Sequence, residues 1–170
     1  MMAVLKLLII AVLAVLIASG ILLFTPLGDE ALNGIFPVRE SDPVDFATLQ
    51  LSGNPNQYLL CPPGLCGEQA HAESAVYDMP ADALRTRWEA VVLAQPRVTV
   101  LQRDRTNLQV DYVQRSARFR FPDVISVRFI PLTPDTSTIA IYSRSVFGKS
   151  DFGVNRERIE AWMAALERGG

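Results

Sequence analysis

Ile125-Ser126-Val127-Arg128-Phe129 alternates apolar and polar side chains at every position. Successive side chains of an extended chain point to opposite faces, so this stretch reads as a strand with one buried and one polar face. The same period of two recurs on either side of it. Leu108, Val110 and Tyr112 alternate with Gln109 and Asp111, and Ala117, Phe119 and Phe121 alternate with Arg118 and Arg120. Val98 and Val100 open the series, and Ile139 and Ile141 share a face within the last strand, Thr138 to Arg144. Asp104-Arg105-Thr106-Asn107 and Pro131 to Asp135 have the composition of turns. Such a series predicts half-buried strands of an antiparallel sheet joined by hairpins.

Outward from the strands the period becomes helical. Leu84, Trp88, Val91 and Val92 fall on one helical face, with Pro80 in the first turn and Pro96 as the stop. Ile159, Trp162, Met163 and Leu166 repeat the pattern near the C-terminus, where Asn155 is the expected N-cap. A short strand is expected at Ala75 to Asp78. The expected fold is α+β, a two-layer domain in the order strand, helix, four strands, helix. Its antiparallel sheet of four to five strands buries one face beneath two amphipathic helices.

Ahead of this domain, Leu7 to Leu27 runs for 21 residues without a charged side chain, after Lys6 and before Asp29 and Glu30. As a helix it spans roughly 32 Å, against a hydrocarbon core of about 30 Å. One transmembrane helix therefore precedes the domain, with the membrane as its partner. The rival is a cleaved signal peptide ending near Ala18-Ser19-Gly20, but Ile21-Leu22-Leu23-Phe24 continues the apolar run past that point. Positive charge before the run and acidic charge after it predict a single-pass, N-in protein of the inner (plasma) membrane, with its C-terminal domain in the periplasm. The expected division is 1–27 anchor, 28–57 acidic linker (Pro37, Pro43, Pro55 and no sustained period), and 58–170 extracytoplasmic domain.

Export bears on the chemistry. Cys61 and Cys66, the two cysteines, bracket Pro62-Pro63-Gly64-Leu65, and in an oxidising compartment a structural disulfide is the default. A redox pair usually has two intervening residues at a helix start, not four in a proline-rich loop. With the thiols bonded and His71 the only histidine, no metal set is expected, and no cofactor motif is present. Fourteen of the sixteen basic residues are Arg, and Ala83 to Gly170 holds fourteen basic against nine acidic residues. That mild excess on an exported domain does not point to nucleic acid. Arg118, Arg120 and Arg128 occupy polar strand faces and Arg144 the last strand. They make either a guanidinium row for an anionic group or a solvated face paired with Asp111 and Asp123.

The densest polar block joins that last strand to the final helix: Gly148-Lys149-Ser150-Asp151-Phe152-Gly153-Val154-Asn155-Arg156-Glu157-Arg158. Glycines and Ser-Asp here serve turn and capping chemistry, and Ser150, Asp151 and the helix N-terminus could also face an anion. This block resembles the C-terminal signature of the bacterial and plastid family called "domain of unknown function 1499". Phe119-Arg120-Phe121-Pro122-Asp123-Val124 resembles its central segment, and Cys61-Pro62 through Cys66 its N-terminal motif, so the likeness covers Tyr58 to Leu166. Two positions depart from it. Gly67-Glu68-Gln69 follows a shorter Cys loop where the family usually has Ser, and Val146 stands where an Arg is frequent, with Arg144 two residues earlier. The resemblance implies a fold and a cell-envelope setting, without an activity. The expected function is a binding or scaffold module for an anionic ligand, a lipid headgroup or an envelope protein. Its candidate residues are Arg118, Arg120, Asp123, Arg128, Arg144, Ser150, Asp151, Asn155 and Arg156. The alternative is a hydrolase using Ser150, Asp151 and Asn155.

Overall fold

The computed structural model describes residues 2–24, 34–40 and 42–169. The chain divides into two compact units, Met1–Pro37 with Ser116–Arg120, and Val38–Arg115 with Phe121–Gly170. In the first, helix α1 (Met2–Phe24) carries no polar side chain between Lys6 and Ser19. Its mean hydropathy is 2.6 over Ala3–Gly20, and it is long and apolar enough to cross a membrane. The last residues of the expected span, Thr25 to Leu27, lie outside the described residues, as do the following Asp29 and Glu30 and the linker positions 28–33 and 41.

The second unit is α+β. Its strands are β1 (Gln57–Cys61), β2 (Ala72–Glu73), β3 (Val76–Tyr77), β4 (Val98–Asp104), β5 (Gln109–Arg115), β6 (Pro122–Pro131) and β7 (Ser137–Ser145). Its helices are α2 (Ala81–Leu93) and α3 (Val154–Arg168). They build one seven-stranded sheet in the order β2-β1-β7-β6-β5-β4, with β3 also on β7; only the β1–β2 pair is parallel. The sheet is larger than the four to five strands expected. β1 is buried at all five positions and so has no period of two to reveal it, and β2 and β3 are two residues each.

The alternation at Ala117 to Phe121 does not form a strand. Arg115 pairs with Pro122, and the residues between them close the β5–β6 hairpin. Within that turn Arg120 adopts φ 56° and donates from Nη1 to the carbonyls of Ala117 and Ser116, while Phe119 is 57% exposed. Pro122 has no N–H to give a ladder, which suits it to the first position of β6.

One sheet face packs beneath α2 and α3. Leu84, Trp88 and Val92 from α2 and Ile159, Trp162 and Leu166 from α3 meet Tyr112, Ile125, Val127, Phe129, Ile139 and Ile141. The indoles of Trp88 and Trp162 meet edge to face at 6.0 Å, and Arg87 Nη2 donates to the Leu166 and Glu167 carbonyls at the end of α3. The opposite sheet face has its own cover. Phe46, fully buried, packs with Leu59, Cys61, Cys66, Ala140 and Tyr142, and Val44, Leu49 and Leu51 lie against them. This strap forms no ladder, so glutamine amides satisfy its backbone. Gln69 accepts from Leu51 N at 3.0 Å and donates to Leu49 O at 3.2 Å, and Gln57 Nε2 donates to Ser52 O and Asn54 O. Gln109, with its amide oriented to satisfy both ends, donates to Val44 O at 3.1 Å and accepts from Val44 N at 2.9 Å. The disulfide Cys61–Cys66 closes the loop after β1.

Candidate functional site

β7 delivers Ser143 and Ser145 to the start of α3, and the connecting block is folded by its own side chains. Gly153 takes φ 86° just before the helix, which removes the N-cap role expected of Asn155; that residue sits inside the first turn and is fully buried. Asp151 does the capping. Its Oδ1 accepts from Gly153 N at 3.0 Å and its Oδ2 from Asn155 N at 2.9 Å and Asn155 Nδ2 at 2.7 Å. Burial opposes ionisation of Asp151, but these donors outweigh it and hold the carboxyl below its ordinary range. Asn155 Nδ2 also reaches Asn56 O and Ser145 Oγ, and its Oδ1 accepts from Ser143 Oγ at 2.5 Å.

Arg158, one turn along α3, joins this cluster to the sheet. Its Nη2 donates to Asp123 Oδ2 at 2.5 Å, Nε to Gln114 Oε1 at 2.5 Å, and Nη1 to Ser143 Oγ at 3.0 Å and Asn155 Oδ1 at 2.6 Å. Arg158 is buried in this pair and Asp123 is largely so. Of the candidate residues, Asp123, Asp151 and Asn155 are linked into one network, whose centre is the Arg158 guanidinium, the last residue of the polar motif. Gln114, Ser143 and Asn56 also belong to it. Nothing in their own spacing marks them, because Asn56 and Asn155 meet only through the β1–β7 pairing.

The other candidates go elsewhere. Ser150 is exposed, and its Oγ accepts from Phe152 N at 3.4 Å. Arg156 pairs with Glu160 on the outer side of α3. Arg118 and Arg120 lie in the turn of the first unit. Arg128 lines a cavity of about 220 Å³ with Thr106, Asn107, Leu108 and Pro131. Arg144 lies on the strap side of the sheet, over the Tyr142 ring at 4.9 Å and bonded to Ser126 Oγ at 3.2 Å. Burial lowers its pKa against the opposing pull of Tyr142 and Asp111. Near it the buried Asp111 accepts from Gln102 Nε2 at 2.6 Å through Oδ2, while Oδ1 has no hydrogen-bond partner among the described residues. A larger cavity of about 430 Å³ opens between α2 and the β4–β5 hairpin, lined by Asp82, Arg85, Arg103, Asp104, Arg105 and Leu108 among others. Most of its charge is internally matched, Arg85 with Asp82 and Arg103 with Glu89.

His71 offers no general base. Its ring stacks on Tyr58, its Nδ1 accepts from Leu59 N at 3.0 Å, and burial, with Arg156 nearby, lowers its pKa. Among the described residues, no three His, Cys, Asp or Glu side chains gather where a metal ion could be held.

The sequence profile of a family described as "protein of unknown function (DUF1499)" matches residues 40–166. The chain belongs to that family. No curated protein and no solved structure matches it. The DUF1499 match begins ahead of the Tyr58 boundary of the resemblance and takes in Phe46 and the strap. A DUF1499 region behind an apolar N-terminal helix is compatible with a membrane-anchored protein of unknown activity.

Proposed function

We propose that this protein is a single-pass, N-in protein of the inner (plasma) membrane, with its DUF1499 domain in the periplasm as a binding or scaffold module. Three regions follow: an anchor over 1–27, a linker from 28 that passes into the strap, and the α+β domain. A disulfide in so small a chain accords with an oxidising compartment. The ligand class is an anionic lipid or an envelope protein, with Lys149, Arg118 and Arg128 as the cations to test first.

The carrying observation is the occupation of the polar block. Both Asp151 oxygens are engaged by Gly153 and Asn155, and Asn155 is fully buried, so the carboxylate and amide that would have to activate the exposed Ser150 are tied up in holding α3 to β7. A carboxylate held ionised by backbone donors is a weak base. The test is a screen of the full chain against envelope esters and phosphodiesters beside Asp151→Asn. No turnover above buffer is expected from either. Turnover by the native chain that Asp151→Asn abolishes while remaining folded would overturn the non-catalytic assignment.

A further inference from the structure

Phe152 stands out of the polar block. It is 93% exposed and adopts φ 55°, a left-handed conformation that a bulky side chain rarely takes. Glycine or asparagine meets that backbone demand more easily, and neither would leave an aromatic ring in water. Such outliers persist where the surroundings over-determine them, and they cluster at functional surfaces. Here the surroundings are plain: Asp151 holds Gly153 N and Asn155 N on one side of the ring, and Ser150 Oγ meets Phe152 N on the other. The network behind them runs through Asn155 to Arg158 and Asp123. The ring is thus presented on a stiff mount, which reduces the ordering lost on docking.

Its surroundings identify the occupant. Val146 and Val154 are each more than two-fifths exposed, and Lys149 is exposed on the same loop. A protruding ring with aliphatic neighbours and a lysine is the composition of an interfacial membrane contact. A protein hot spot would instead be ringed by a closed, well-packed patch. α1 supplies the second argument. It is long and apolar enough to cross a membrane, and the chain from Phe24 to Phe46 spans at most roughly 80 Å fully extended, which keeps the domain near any bilayer that holds the helix. Resting on the membrane-anchored reading above, we propose that the loop Val146–Val154 docks on the bilayer to which the chain is anchored, Phe152 entering the boundary between headgroups and acyl chains and Lys149 meeting anionic headgroups.

The chain's two cysteines are both in the disulfide, so one introduced cysteine labels uniquely. Val146→Cys, which leaves Phe152 and Lys149 in place, and, at the far end of the β6–β7 hairpin, Asp135→Cys are labelled with a polarity-sensitive dye in the full chain. The protein is reconstituted in phosphatidylcholine vesicles with and without phosphatidylglycerol and titrated with iodide. Docking requires the label at 146 to be blue-shifted and quenched several-fold less than the label at 135, with more protection when phosphatidylglycerol is present, and Phe152→Ser to abolish that protection. Equal quenching at the two positions overturns the proposal, and so does protection of 146 that survives Phe152→Ser, or that appears in native membranes but not in pure lipid, which would mean a protein partner. Both labelled variants must melt with the native chain. Loss of docking leaves the binding-module reading standing, whereas turnover in the hydrolysis screen would remove that reading without touching this result.

Discussion

At the scale of single residues, Arg158 has the most to lose. It supplies four donor contacts to Asp123, Gln114, Ser143 and Asn155 from a buried position. Removing one partner of such a pair leaves the other charge buried without compensation. Arg158→Ala is therefore expected to lower the unfolding free energy by about 3–5 kcal/mol, measured by urea denaturation. Adding Asp123→Asn to that variant should cost much less than it does alone, because the two share one network. Near-additive losses would show that the guanidinium and the carboxylate act separately. Arg158 was legible as part of a motif, but its role was not, since three of its four partners come from three different strands that only the fold brings to its helix.

At the scale of elements, the strap is the least legible part of the protein and the four-stranded meander the most. In sequence β5 and β6 alternate because the apolar residues that meet α2 and α3 take turns with Gln109, Asp111, Ser126 and Arg128 on the other face, although in the fold both faces are largely covered. The strap has no period, since it lies on the sheet as irregular chain and buries one ring, Phe46, held by amides far away in sequence. The Ala117–Phe121 alternation misleads for the opposite reason: a hairpin turn can show a period of two without forming a strand. Phe46→Ala is expected to cost about 3–5 kcal/mol, the range for truncating a buried phenylalanine. Thermal or denaturant unfolding checks it, and a loss near zero would mean that the strap does not contribute to the folded state.

At the scale of the whole molecule, charge and titration become simple. The Arg excess was plain from composition, but its destination was not. Several of these arginines are taken up within the fold, Arg158 in the α3 network, Arg87 at the end of α3 and Arg144 on Tyr142, while Arg103 pairs with Glu89 at the surface. There is one histidine in the chain, and its environment favours the neutral ring. Stability is therefore complete above the unfolded-chain value of about 6.5 and declines as the pH falls below it. The melting temperature should drop by a few degrees between pH 7 and 5, and His71→Asn, whose amide oxygen can still accept from Leu59 N, should flatten that slope. Asp151, whose carboxyl is held below its ordinary range, adds a second decline only at more acidic pH. The amide clamps on the strap have a mechanical meaning for an anchored protein. In a chain anchored as proposed, a pull arriving from the N-terminal side works on the strap's attachments in chain order: Gln109 at Val44, the buried Phe46 ring, Gln69 at Leu49 and Leu51, and Gln57 at Ser52 and Asn54. The strap would act as a graded fuse, giving way attachment by attachment before β1 is drawn from β7.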